Sequence, residues 1–219
     1  MRILLITPNF FEYPQVICEE IRSMGHEVDW FDDRPSTKGI VKAVIRIQKN
    51  LIAIFIAKYF KKILSFVKTK RYDKVLLISG QSLSFNERMI LALKQAQPQA
   101  EFILYQWDSI NNFKYIESLQ KHFDRCYSFD RNDVKNNSRL KFLPLFYSKR
   151  YEAIGAKKVE SFDYDFMFVG TAHPKKFKYV NEMAEKLHSV FKKQFIYFFF
   201  PSLLVYIYRK LKNPELKQQ

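Results

Sequence analysis

The chain has 219 residues, 47% of them hydrophobic, with a mean hydropathy of −0.27, ordinary for a globular protein of one large or two small domains. Its 37 Lys and Arg outnumber 22 Asp and Glu, and the net charge of +15 implies polyanionic company: nucleic acid, anionic lipid headgroups or phosphorylated substrates. The glycines, Gly25, Gly39, Gly80, Gly155 and Gly170, are too scattered for a Walker-type loop or a G-x-G-x-x-G fingerprint, which argues against a P-loop NTPase or a standard NAD enzyme.

Strands and helices alternate from the amino terminus. Arg2–Thr7 is an apolar run followed by the loop Pro8–Glu12. A helix is expected from near Pro14, with a buried stripe of Ile17, Ile21 and Met24 and a stop at Gly25. His26–Phe31 makes a second strand, closed by Asp32, Asp33 and Pro35, and a long basic helical segment follows to about Lys70. Asp73–Ser79 is a third strand, and Ser84-Phe85-Asn86-Glu87 resembles a capping box ahead of a helix to about Gln97. Glu101–Gln106, Arg125–Phe129 and Leu140–Leu145 complete the strands, with a short helix around Asn112–Lys121 between the first two.

This βαβ alternation predicts an α/β, Rossmann-like domain, with a mostly parallel sheet and helices on both faces. The expected division is a first domain over 1–148, a connector over 149–162 and a second Rossmann-like unit over 163–219. Asp163–Lys176 (DYDFMFVGTAHPKK) opens that second unit as strand, Gly-Thr turn and helix, repeating the part played by Ile3–Asn9. Only 43 residues follow Lys176, so a second domain cut short is expected, with a ligand cleft between the two.

Three features could carry chemistry. The helix after His173 has a clean stripe at Phe177, Val180, Ala184, Leu187 and Phe191, so Lys175 and Lys176 fall in its first turn. Cations are disfavoured there, and a docked anion removes the conflict. Gly170, Thr171, His173 and the lysines are thus a candidate diphosphate site, against the alternative that both lysines are simply solvated.

The second feature is a set of polar residues at strand ends: Asn9, Tyr13, Gln81, Ser82, Trp107, Asp108 and Asp130. Asp108 is the candidate base for an acceptor hydroxyl, or else the cap of the following helix. Asp130 reads as a turn or cap residue. The third feature is Thr37–Tyr72, with ten Lys or Arg and no acid. Its stripe of Ile40, Val44, Ile47, Leu51, Phe55, Tyr59 and Ile63 leaves Lys42, Arg46, Lys49 and Lys61 largely on the other side. Part of it is expected to pack on the sheet and part to lie on an anionic membrane surface.

Other chemistries find little footing. His26, His122, His173 and His188 share no metal-ligand spacing, so no metal or cofactor is expected. Cys18 and Cys126 are far apart on apolar elements and read as inert core thiols in a reducing compartment. The longest charge-free run, Gln194–Tyr208, is 15 residues with Pro201 inside it, too short to span a bilayer. The basic residues gather on one amphipathic segment without an RNA-binding signature, so no nucleic-acid partner is expected.

The segments RILLITPNFFEYPQVICEEIRSMGHEVDWFDDRPS, LLISGQSLS, YQWDSINNF and DYDFMFVGTAHPKKF resemble bacterial polysaccharide-biosynthesis glycosyltransferases of the two-Rossmann-domain (GT-B) type. These are the capsular and lipopolysaccharide proteins distantly similar to the CgeB group. The resemblance implies a sugar moved from a nucleoside diphosphate to a lipid-linked or saccharide hydroxyl; with the basic segment Thr37–Tyr72, a cytoplasmic protein peripheral on the inner face of the cell membrane is expected. It would place Asn9, Tyr13, Gln81 and Asp108 on the acceptor side and Gly170, Thr171 and His173 in the first donor-side loop. A non-catalytic module binding nucleotides or phosphorylated glycans is the alternative.

Overall fold

The computed structural model describes residues 1–35, 53–79, 85–172 and 174–199, together with 207 and 211. These divide into two compact units, Met1–Lys149 and Arg150–Gln219.

The first unit is a single sheet of six parallel strands: β1 (Arg2–Ile6), β2 (Glu27–Phe31), β3 (Lys74–Ile78), β4 (Glu101–Gln106), β5 (Arg125–Ser128) and β6 (Leu140–Phe142). Their spatial order is β2-β1-β3-β4-β5-β6. The period of two along each strand sends alternate residues to opposite faces. Leu4, Ile6, Val75, Leu77, Phe102 and Leu104 share one core with α2 (Ala53–Val67), α3 (Glu87–Ala96) and α4 (Tyr115–Leu119). Leu5, Val28, Ile78 and Tyr105 form a second core with Cys18 of α1 (Tyr13–Ser23). Helices therefore cover both faces of a Rossmann-like domain.

The local signals explain the element ends, with corrections. Pro14 sits in the first turn of α1, and Gly25 stops the chain at φ +78°, where a side chain would be strained. Met24 is exposed rather than part of the buried stripe, because α1 ends before it. The cap of α3 is Asn86, whose Oδ1 accepts from the Met89 N–H, and not a capping box begun at Ser84. In α2, Ile63 is fully buried and Tyr59 half-buried, whereas Phe55, one turn earlier on the same stripe, is exposed. Asp130 caps α5 (Arg131–Asn136) through the Asn132 N–H, as a cap residue should. The sixth strand stops at Phe142, and Leu143–Ser148 lead without regular structure into α6 (Lys149–Gly155), a helix not anticipated in the connector.

The second unit contains β7 (Phe166–Thr171), α7 (Pro174–Lys186) and β8 (Gln194–Phe199), with the two strands parallel. Phe168 and Phe177 both pack on Phe198, each with centroids 5.0 Å apart. β8 is the front half of the charge-free run that carried no strand expectation. The other face of this pair exposes Met167, Val169, Phe195, Tyr197 and Phe199.

Candidate functional site

The strand order places a divergence between β1 and β3. The connection from β1 leads outward to β2, and that from β3 leads the other way to β4. In open parallel sheets the crevice at the carboxyl ends of such a pair is where ligands bind. Along this edge the apolar strands end in polar residues that are nevertheless fully buried: Thr7, Ser79, Gln106 and Ser128, each 0% exposed.

Each is held by backbone first. The Thr7 N–H donates to the Phe31 carbonyl at 3.1 Å, and the Ser79 N–H donates to the Tyr105 carbonyl at 3.1 Å. At the β4–β5 end the side chains are largely satisfied. Gln106 Oε1 accepts from Gln120 Nε2 at 2.7 Å, and Ser128 Oγ donates to Asp133 Oδ2 at 3.4 Å. Asp133 also takes the Ile110 N–H at 2.9 Å, so this carboxylate closes the loops after β4 and β5.

The β1–β3 end is different. Asp33, two residues beyond β2 and 1% exposed, accepts from Ser79 Oγ at 2.8 Å. Because β1 lies between β2 and β3, this bond passes over the carboxyl end of β1. The other oxygen, Asp33 Oδ1, has no hydrogen bond, and neither has Thr7 Oγ1 or Arg34 Nε; at the end of β4, Gln106 Nε2 also lacks one. Arg34 Nε lies 3.4 Å from Asp33 Oδ1 and 3.7 Å from Asp32 Oδ1, an ion pair without hydrogen-bond alignment. Burial pushes the Asp33 carboxyl up to about 7, against the pull of Ser79 and Arg34. The Tyr59 hydroxyl donates to the Asp32 carbonyl at 2.8 Å, and burial with the nearby Asp32 and Asp33 charges pushes that phenol up to about 12.

An aromatic cluster lies on the same edge. Tyr13 packs edge-on to Trp107 and Phe146, with centroids at 6.2 and 5.7 Å, and it also touches Phe10 and Phe11. Phe11 is 74% exposed and holds φ at 50°, a conformation that a bulky side chain rarely takes. The edge thus combines an aromatic surface with a few buried polar groups, the composition of a small-molecule site.

The sequence-derived candidates distribute as follows. Asn9 and Tyr13 lie in and just after the loop that follows β1, on this edge. Asp108 follows β4, half-buried, and its Oδ1 accepts from Asn112 Nδ2 at 3.3 Å. Gln81, Ser82, His173, Lys42, Arg46 and Lys49 lie outside the described residues. Lys61 is exposed on α2. In the second unit Thr171 ends β7 opposite Phe199, and Lys175 and Lys176 are exposed in the first turn of α7. That turn carries no acidic residue, so the partly positive helix end faces two further cations. Gly170 has a packing role too, since a Cβ there would lie 2.7 Å from Phe168 Cζ.

The residues that sequence reasoning passed over are Thr7, Asp33, Ser79 and Gln106. For Thr7, Ser79 and Gln106 a signal was present, since each strand run ends in a small or amide polar residue directly after its last apolar one; Asp33, two residues past β2, carried none. Cys18 and Cys126 are free and buried, and burial raises both thiols, Cys126 to about 11.

No protein-family model matches the chain, and no curated protein matches it. Among solved structures, it is similar to MurG of Acinetobacter baumannii, with 12% identity and a TM-score of 0.55. That likeness covers 96% of this chain and 61% of the MurG chain, so the chain spans about three-fifths of that structure's length. A response regulator of Burkholderia pseudomallei, carrying a phosphorylated aspartic acid, calcium and citrate, shares 9% identity over 85% of either chain. Its TM-score of 0.38 is too low to carry an argument. MurG is a GT-B glycosyltransferase, and the likeness shows that this chain has a distantly GT-B-like, α/β fold.

Proposed function

We propose that this chain is a glycosyltransferase-like protein of envelope polysaccharide synthesis, of the capsule or lipopolysaccharide kind. The reaction moves a sugar from a nucleoside diphosphate onto a hydroxyl of a lipid-linked or saccharide acceptor. The observation that supports it best is the pairing of a six-stranded parallel domain with a second strand–turn–helix unit in a MurG-like fold. The turn Gly170–Thr171 and the lysine-bearing start of α7 supply N–H groups, a hydroxyl and cations for a diphosphate, together with His173. The same groups stabilise the departing diphosphate without a metal. The acceptor is taken at the carboxyl edge of the first unit by Asn9, Tyr13, Gln81 and Ser82, with Asp108 as base.

The basic, half-apolar segment Thr37–Tyr72, of which α2 is the described helix, suits a location on the inner face of the cell membrane, with Lys42, Arg46, Lys49 and Lys61 as its cationic residues. No described helix is long and apolar enough to cross a bilayer. Sedimentation with acidic liposomes at low salt should carry the chain down, and Lys61→Glu with Lys62→Glu should reduce that retention. Equal recovery in the supernatant with and without vesicles removes the membrane part.

The second reading, a non-catalytic module for nucleotides or phosphorylated glycans, draws on the engagement of Asp108 with Asn112. Calorimetric titration with nucleoside diphosphates, run beside a hydrolysis assay on UDP-sugars, separates the two. Binding with turnover supports the transferase, and binding without it supports the module.

A further inference from the structure

Asp33 and Asp133 are the buried carboxylates among the described residues. Burying a carboxylate is costly unless it is well partnered, and Asp133, 6% exposed in the first turn of α5, is held by neutral groups. It is not spent on its own helix, because Asp130 already caps α5 through the Asn132 N–H at 2.8 Å. Two of its bonds go instead to a different loop. The Ile110 N–H donates to Asp133 Oδ2 at 2.9 Å, and Ser109 Oγ donates to Oδ1 at 3.3 Å. The third partner, Ser128 Oγ at 3.4 Å, roots the carboxylate at the end of β5.

That other loop follows β4. Trp107 packs against the core on one face of the sheet and Ile110 against the core on the other, so Asp108 sits on the crest between them. The turn is closed from inside by the Ser109 carbonyl, which accepts from the Asn112 N–H at 3.0 Å and the Phe113 N–H at 3.3 Å. Asn112 Nδ2 then reaches back to Asp108 Oδ1 at 3.3 Å.

We propose that Asp133 is a positioning residue, whose two carboxylate oxygens clamp Ser109 and Ile110 and so fix how Asp108 and Trp107 face the carboxyl edge of the sheet. Two acceptor oxygens in one plane reach both groups at once, which a single hydroxyl cannot do. The clamp extends one step further, since Trp107 meets the Tyr13 ring edge-on at 6.2 Å. The inference rests on the reading of Asp108 as acceptor base only for calling the effect catalytic; the clamping does not require transfer.

The test compares the native chain with Asp133→Ala, in full, by NMR and by turnover of UDP-sugars. Amide hydrogen exchange at Ile110, Asn112 and Phe113 is expected to quicken by roughly tenfold or more, the worth of one lost hydrogen bond. The nuclear Overhauser contact between the Trp107 and Tyr13 rings should fade, while amides of β1 and β3 keep their protection. In the turnover assay kcat should fall by about tenfold with KM for the nucleotide sugar unchanged, because that substrate is assigned to the second unit. If Asp133→Ala fails to fold, Ser109→Ala, which removes a single arm of the clamp, decides by the same readings. Unchanged exchange at the three amides with the ring contact intact overturns the inference. So does exchange quickened equally in β1 and β3, which marks a general loss of stability, or a raised KM with kcat unchanged. A native chain without turnover on any UDP-sugar counts against the transferase reading, and the NMR comparison then decides the clamp by itself.

Discussion

Asp33 carries a charge that its surroundings oppose. Burial is the largest cause, Asp32 adds repulsion, and Ser79 and Arg34 only partly offset them. The unfolded chain releases this proton near pH 4, whereas the folded chain holds it to about 7. Over that window the native state binds the extra proton, so the Asp33 contribution to stability falls as pH rises from about 4 to about 7 and is flat beyond. Asp33→Asn keeps an acceptor for Ser79 Oγ and removes the charge. It should be more stable than the native chain at pH 8 by roughly 1–4 kcal/mol, with the gap closing towards pH 4. Urea denaturation at the two pH values checks this, and a variant less stable at pH 8 would contradict it. Thr7→Val should likewise stabilise by about 1 kcal/mol, since the hydroxyl it removes is buried without a partner. A buried polar residue kept against stability is the mark of a functional position. Little of this was legible beforehand: Thr7 and Ser79 directly follow the last residues of β1 and β3, where only burial separates them from any other Thr or Ser, and Asp33 reads from sequence as a turn residue closing β2.

At the scale of elements, Gln97 ties α2 to the sheet. Its Oε1 accepts from the Tyr72 N–H at 3.0 Å, and its Nε2 donates to the carbonyls of Val67 and Lys70, each at 2.8 Å. One buried amide thus closes the carboxyl end of α2 and sets the entry to β3. Gln97→Ala strands these groups and should cost about 2–4 kcal/mol, read as a lower urea midpoint with an unchanged slope. A loss below half a kcal/mol would show that water replaces the amide freely. Gly170→Ala addresses the second unit, where the added methyl meets Phe168 and disturbs its packing on Phe198. Relief by the double variant Gly170→Ala, Phe168→Leu would assign Gly170 to packing. The strands of the first unit were legible because short β-branched and leucine runs alternate with capped helices. β8 was not, since Gln194–Tyr208 is almost uniformly aromatic or aliphatic and shows no period. The start of α3 was misplaced by two residues, because both Ser84 and Asn86 are good caps and only the Asn86–Met89 bond decides between them.

At the scale of the whole molecule, two properties stand out: a charge of +15 and a bare apolar strip on the second unit. Met167 pairs with Phe195 and Val169 with Tyr197, so the exposed side chains of β7 and β8 form one continuous surface. Parallel strands are ordinarily covered on both faces. The strip should promote self-association, and Val169→Thr with Tyr197→Thr should lower the weight-average mass in sedimentation equilibrium. An unchanged mass in that variant would place the association elsewhere. The division of labour between the units is the central claim, with a nucleotide held by the second and a hydroxyl-bearing acceptor by the first. Amide NMR of the full chain with added UDP tests it most directly. The account predicts shifts concentrated at Gly170–Lys176, with Thr7, Ser79 and Gln106 unmoved. Shifts centred on the carboxyl edge of the first sheet, or none anywhere with any nucleoside diphosphate, would contradict it.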